Sequence, residues 1–119
     1  MMRLNEVEYT DAAPVEGYGP GFFRIGGEKH DAPLLISPQG VDGWTGYRDV
    51  APLLALSGHV DVLFIGTGSE IAHIPTELRH ALEQAGLGVE VMNSPAACRT
   101  YNVLLSEGRR VALALLPVD

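Results

Sequence analysis

Three short apolar runs, spaced one helix apart, constrain the fold of this chain more than any other feature. They are Asp61-Val62-Leu63-Phe64-Ile65, Val89 to Met92 and Val111 to Leu116. Each has strand length and is nearly continuous in apolar residues, as a strand buried on both faces must be. Two segments at helical spacing separate them. Pro75 to Ala85 sets Ile74, Leu78, Ala81, Leu82 and Ala85 on one side, with Pro75 at the first helical position and Gly86 as the stop. The second helix, over 95–107, opens on Ser94-Pro95 with Ser94 as its cap, and Gly108 ends it. Its apolar stripe is Ala97, Tyr101, Leu104 and Leu105. Strands joined by helix-length connections run parallel, through right-handed crossovers, with helices covering both faces of the sheet.

The first third reads differently. Glycine and proline break it into short strand-like runs: Leu4 to Tyr9, Gly21 to Ile25, Glu28 to His30 and Leu34 to Ser37. Phe22 to Ile25, followed by Gly26-Gly27 and Glu28, predicts a hairpin with a two-residue turn. Asp49 is expected to cap a short helix reaching about Leu56, with Gly58 beyond it. The expectation is one α/β domain over 1–119, with a hairpin-rich β entry over 1–48 and alternating helix and strand over 49–119.

Composition narrows the partners. Eight basic residues against fifteen acidic ones give a net charge of −7. That balance repels phosphate backbones and argues against nucleic acid as the main ligand. Seven of the eight cations are Arg, scattered except for Arg109-Arg110. The lone Cys98 forms no internal disulfide and implies no oxidising compartment. The first twenty residues carry Glu6, Glu8, Asp11 and Glu16 against Arg3, unlike an export signal or an organelle transit peptide. No apolar stretch reaches transmembrane length. A cytoplasmic monomer is the resulting expectation.

The motifs carry little chemistry. Gly66-Thr67-Gly68 follows a buried strand, but Ile71 stands where a dinucleotide fingerprint needs its third glycine, and there is no P-loop lysine. A tight turn of small residues is the plainer reading, and no cofactor is expected. Cys98 sits in the first turns of its helix, where a dipole favours thiolate, yet it shares helical spacing with Tyr101 and Leu105. It is read as a packed core residue ahead of a reactive thiol. His30, His59, His73 and His80 have no spacing of metal ligands. His80, between Glu77 and Glu83, is placed on the solvent side. Trp44 is read as a core plug under a loop in preference to an exposed binding aromatic.

In a largely parallel sheet, the Gly66-Thr67-Gly68 turn and the Ser94 helix entrance both follow strand C-terminal ends, the usual ligand position. This suggests a small-anion site borne by Gly66, Thr67, Gly68, Arg99 and Asn102, using helix N–H donors and the guanidinium. The competing and plainer reading has Arg99 tied to Glu90 or Glu107.

Ile65-Gly66-Thr67-Gly68, then Pro75 with Leu78 and Leu82, then Gly88-Val89-Glu90-Val91-Met92 form one continuous signature. It continues through Ala97-Cys98-Arg99-Thr100-Tyr101-Asn102-Val103-Leu104 and Glu107-Gly108-Arg109-Arg110-Val111. The signature resembles the small-protein family that includes the mitochondrial complex I assembly factor 3 and the adipogenesis-associated domain proteins. The resemblance covers residues 60 to 116 strongly and the start more loosely. It implies a three-layer α/β fold with a mixed central sheet, and it supplies no catalytic residues. Two function classes follow: an interaction or assembly factor with a protein partner in complex assembly and no catalysis, or a small-anion-binding protein or enzyme with a pocket at the strand ends.

Overall fold

The apolar runs of the second half form strands that divide their side chains between two cores. The computed structural model describes residues 12–119, so the strand-like run Leu4 to Tyr9 lies outside the described residues. Chain order is β1 (Val15–Gly19), β2 (Phe22–Ile25), β3 (Glu28–Asp31), β4 (Leu34–Ser37), β5 (Gly40–Gly43), α1 (Ala51–Leu54), β6 (Val62–Gly66), α2 (Thr76–Gln84), β7 (Gly88–Met92), α3 (Ser94–Ser106) and β8 (Val111–Leu115). The central sheet has the order β5-β4-β8-β6-β7. β6 is parallel to both β7 and β8, whereas β4 is antiparallel to β8 and β5. The sheet is therefore mixed, with its parallel strands together. β1, β2 and β3 make a second, antiparallel sheet.

The strand period of two sorts the layers. Ala112, Ala114, Leu63 and Ile65 face one core, where α1 and α2 bring Leu53, Leu78 and Leu82. Val111, Leu113, Leu115 and Phe64 face the other, where α3 brings Tyr101 and the smaller sheet brings Phe23 and Ile25. Phe64 and Leu113 are 2% and 0% exposed. A one-residue slip of β8 would exchange its two sets of side chains and mismatch both cores, which fixes the register. The result is three layers. The connection β6-α2-β7 steps one way across the sheet and β7-α3-β8 steps back over β6. A constant crossover hand then puts α2 and α3 on opposite faces, as the two cores require.

Both long helices end as their glycines predict. Gly86 N–H and Leu87 N–H donate to the Glu83 and Leu82 carbonyls, and Gly108 N–H and Arg109 N–H to those of Leu105 and Leu104. This paired closure satisfies carbonyls that the helix itself leaves open. The helix starts differ from the sequence reading. Pro75 is the residue before α2, extended at φ −56°, ψ 135°, and not its first helical residue. Asn93 caps α3, its Oδ1 accepting Ala96 N–H at 2.8 Å, which leaves Ser94 free for another role.

Asp49 does not cap α1 either. The helix runs only from Ala51 to Leu54 and its entry residue, Val50, makes no side-chain cap. Asp49 instead ties a loop: its Oδ2 accepts Thr45 N–H at 3.2 Å and its carbonyl accepts Trp44 Nε1 at 3.0 Å. Trp44 is 2% exposed and plugs the core as expected, with the loop supplying the partner a buried indole needs. In the first third, β2 and β3 pair across Gly26-Gly27, both at positive φ, as a two-residue hairpin. β1 and β5 are strands the sequence reading did not place.

Candidate functional site

The turn after β6 and the entrance of α3 meet where the strand ends diverge. β6 hands the chain to α2 on one face and its neighbour β7 hands it to α3 on the other. The chain fills this crevice with its own polar atoms. Ser94 is fully buried. Its Oγ accepts Gly68 N–H at 2.9 Å and donates to the Leu116 carbonyl at 2.8 Å. Its own N–H donates to the Gly68 carbonyl at 2.7 Å. Thr67 N–H donates to the Met92 carbonyl at 2.9 Å, and its hydroxyl donates to the Glu70 carbonyl at 2.7 Å while accepting Ala72 N–H at 3.1 Å. A Cβ on Gly66 would stand 2.7 Å from Ser94 Oγ and 2.8 Å from Ser94 Cα. Glycine at 66 is what lets β6 and α3 touch.

The donors at the start of α3 are used in the same way. Ser94 N–H serves Gly68, Pro95 has no N–H, Ala96 N–H serves the Asn93 side chain, and Ala97 N–H bonds the Asn93 carbonyl at 2.9 Å. Arg99 lies exposed on α3 and has no hydrogen-bond or ion-pair partner among the described residues, so it ties neither Glu90 nor Glu107. Asn102 faces β1. Val15 N–H donates to Asn102 Oδ1 and Asn102 Nδ2 donates to the Val15 carbonyl, both at 2.9 Å. The carboxamide thereby supplies the pair of backbone bonds that another strand would give. Of the five residues named as a ligand site, the fold gathers Gly66, Thr67 and Gly68 at the junction, and places Arg99 and Asn102 elsewhere on α3.

Cys98, on α3, faces the core and is 5% exposed. Burial pushes its thiol up to about 12, outweighing the lowering effect of Arg99. It is a thiol and not a thiolate at neutral pH. Tyr101, fully buried next to it, has its phenol pushed up by burial and then by Cys98, and donates to the Ala13 carbonyl at 3.0 Å. His59, His73 and His80 are exposed, and among the described residues no three metal-ligating side chains gather.

Concave regions elsewhere among the described residues stay open. One, of about 340 Å³, lies by the end of α3 between Leu105, Val111 and Pro38, with Arg109, Arg110 and His59 around it. Arg110 is committed to Asp61 through Nη2 at 2.7 Å, and this hydrogen bond holds the Asp61 carboxyl below its ordinary range. Another, of about 530 Å³, runs between the 71–74 loop, Thr76 and Arg79 of α2 and Val91 of β7. Sequence reasoning singled out neither. The available signal was Ile71, an isolated apolar residue outside every periodic stripe and 66% exposed.

Comparison with known proteins gives this arrangement its context. Residues 15–116 match the family model described as protein of unknown function DUF498/DUF598. An uncharacterized protein of Rhodobacter capsulatus is 50% identical over 117 residues, spanning 98% of this chain and 94% of that protein. The NADH dehydrogenase (ubiquinone) 1 alpha subcomplex assembly factor 3 of Rattus norvegicus is 28% identical over 123 residues. The match spans 98% of this chain and 66% of that factor. Among solved structures, that of an outer membrane protein from Bartonella henselae superposes with a TM-score of 0.85 at 35% identity, covering 94% of this chain and all of that one. Among the described residues, no helix is long and apolar enough to cross a membrane.

Proposed function

The chain belongs to the family of proteins of unknown function DUF498/DUF598, and from that membership we propose that it is an interaction protein assisting assembly of a larger protein complex. The observation that carries this reading is the likeness to assembly factor 3, which extends over 98% of this chain and not over one motif. The geometry supports it: the crevice that commonly holds a ligand in open α/β sheets is occupied here by Ser94. In this reading residues 1–119 act as one domain, by binding and not by chemistry, as a cytoplasmic monomer when free. The net charge of −7 favours a protein partner over nucleic acid. Affinity purification of the tagged chain from its native cells, followed by sizing and mass spectrometry, tests the proposal. A reproducible stoichiometric protein partner is expected. Recovery of the chain alone, or with a copurifying metabolite and no protein, would sink it.

One observation favours a second reading. The guanidinium of Arg99, without a partner among the described residues, would draw a small carboxylate or phosphate to the α3 entrance near Gly66, Thr67 and Gly68, with Asn102 leaving Val15 to join it. NMR titration with phosphate and acetate separates the two. Saturable shifts at Thr67 and the 94–99 amides, lost in Arg99→Ala, would favour the anion. Their absence leaves the interaction reading alone.

A further inference from the structure

β7 is one of the two edge strands of the central sheet, β5 being the other, and among the described residues it pairs with β6 alone. Gly88 N–H donates to the Asp61 carbonyl and the Met92 carbonyl accepts Thr67 N–H, both at 2.9 Å and both toward β6. Backbone groups alternate along a strand, so Gly88, Glu90 and Met92 bond inward, while Val89 and Val91 turn their N–H and C=O outward. Among the described residues those outward groups have one weak partner, Arg79 Nη1 at 3.5 Å from the Val89 carbonyl. Of the devices that blunt a sheet edge, the strand has neither proline, lysine nor bulge, only the charge of Glu90.

The 530 Å³ groove lies against this edge, with Val91 on one side and Ile71 and Ile74 on the other. Ile71 is the most exposed large apolar side chain of the described residues. The surroundings are acidic. Glu70, Glu77, Glu83 and Glu90 are all exposed over 70–92, against the single Arg79, which already lies 3.5 Å from Glu83.

We propose that the free edge of β7 and its adjoining groove dock an extended segment of a partner protein, which adds as a further strand. The proposal rests on the interaction reading and names the chemistry of the partner. Alternate side chains of such a segment enter the groove and are apolar; those between them lie beside Glu90 and are basic. Main-chain bonds to Val89 and Val91 supply affinity and the two side-chain sets supply choice. A second copy of this chain fits less well. Antiparallel self-pairing that bonds Val89 to Val91 of the other copy sets Glu90 directly against its own equivalent, and like charges opposite one another destabilise a strand pair.

The test uses three acetylated hexapeptides on the full chain: (Lys-Val)3, (Glu-Val)3, and (Lys-Val)3 with N-methylated valines. NMR titration and amide exchange are read together. The lysine peptide is expected to shift Val89, Val91 and Ile71–Thr76 saturably and to slow exchange at Val91. The glutamate peptide should bind roughly threefold or more weakly, the scale of a cross-strand charge pair. N-methylation should abolish the effect, and Glu90→Lys, a surface change, should reverse the charge preference. Shifts that are absent or lie elsewhere, equal binding of the N-methylated peptide, or a Val91 amide already protected in the free protein would overturn the proposal. Failure here is distinct from failure of the interaction reading. A partner complex that survives Ile71→Asp defeats only the docking site, whereas a chain that recruits no partner defeats only the assembly role.

Discussion

The junction after β6 and the outer edge of β7 are neighbours that treat backbone polar groups in opposite ways. At the junction, the amides of Thr67, Gly68, Ser94 and Ala96 all have partners within the chain. At the edge, Val89 and Val91 present theirs outward with, among the described residues, one long contact to Arg79. The first arrangement spends its hydrogen bonds on holding β6, α3 and β8 together; the second keeps them for another molecule. A crevice at the end of a sheet is thus not by itself a place for a ligand. What decides is whether the donors there are already taken.

The contrast breaks most visibly at Ser94. Ser94→Ala leaves the Gly68 N–H and the Leu116 carbonyl buried without this partner, and we expect a loss of about 2–4 kcal/mol in urea unfolding. A loss below that of an ordinary surface change would show that the junction is not held by this hydroxyl. A smaller effect is expected on the far side of α3. Asn102→Ala removes both bonds to Val15 at a half-buried site, costing about 1–2 kcal/mol. Amide exchange should quicken across Val15–Gly19 and remain unchanged in β6 and β8. The smallest effect belongs to the open side. Ile71→Asp should keep stability within ~0.5 kcal/mol of the parent in the same urea experiment, as for exposed residues outside a packed core. Marked destabilisation there would mean that Ile71 packs and that the groove is not free.

The alternating half of the chain was legible because its signals are local. β6, β7 and β8 fall within a residue or so of their apolar runs, and α2 and α3 close at Gly86 and Gly108. β1 and β5 were not legible. Val15-Glu16-Gly17-Tyr18-Gly19 and Gly40-Val41-Asp42-Gly43 have glycines where a strand wants branched side chains, so their pairing and not their propensity makes them strands. The candidate site shows the same division. That Gly66 and Gly68 make a close turn can be read from their neighbours. That Asn102 reaches Val15, 87 residues away, cannot. An asparagine inside a helix is a poor former and hints at a partner, without saying which. Ser94 misled because Asn93, beside it, is as good a cap, and only the approach of Gly68 decides between them.

The position of β8 has a consequence for how the molecule is made. It is the last of the described strands, yet it sits in the middle of the sheet, antiparallel to β4 and parallel to β6. Until β8 is made, no strand is available to join the β4–β5 hairpin to the β6–β7 pair. At ordinary ribosomal speeds of about 5–20 residues per second, the interval between completing β5 and completing β8 is on the order of 4–14 seconds. β4 throughout that interval, and β6 from its own completion onward, lack the strand that lies between them, and Val111–Leu115 covers both edges at once.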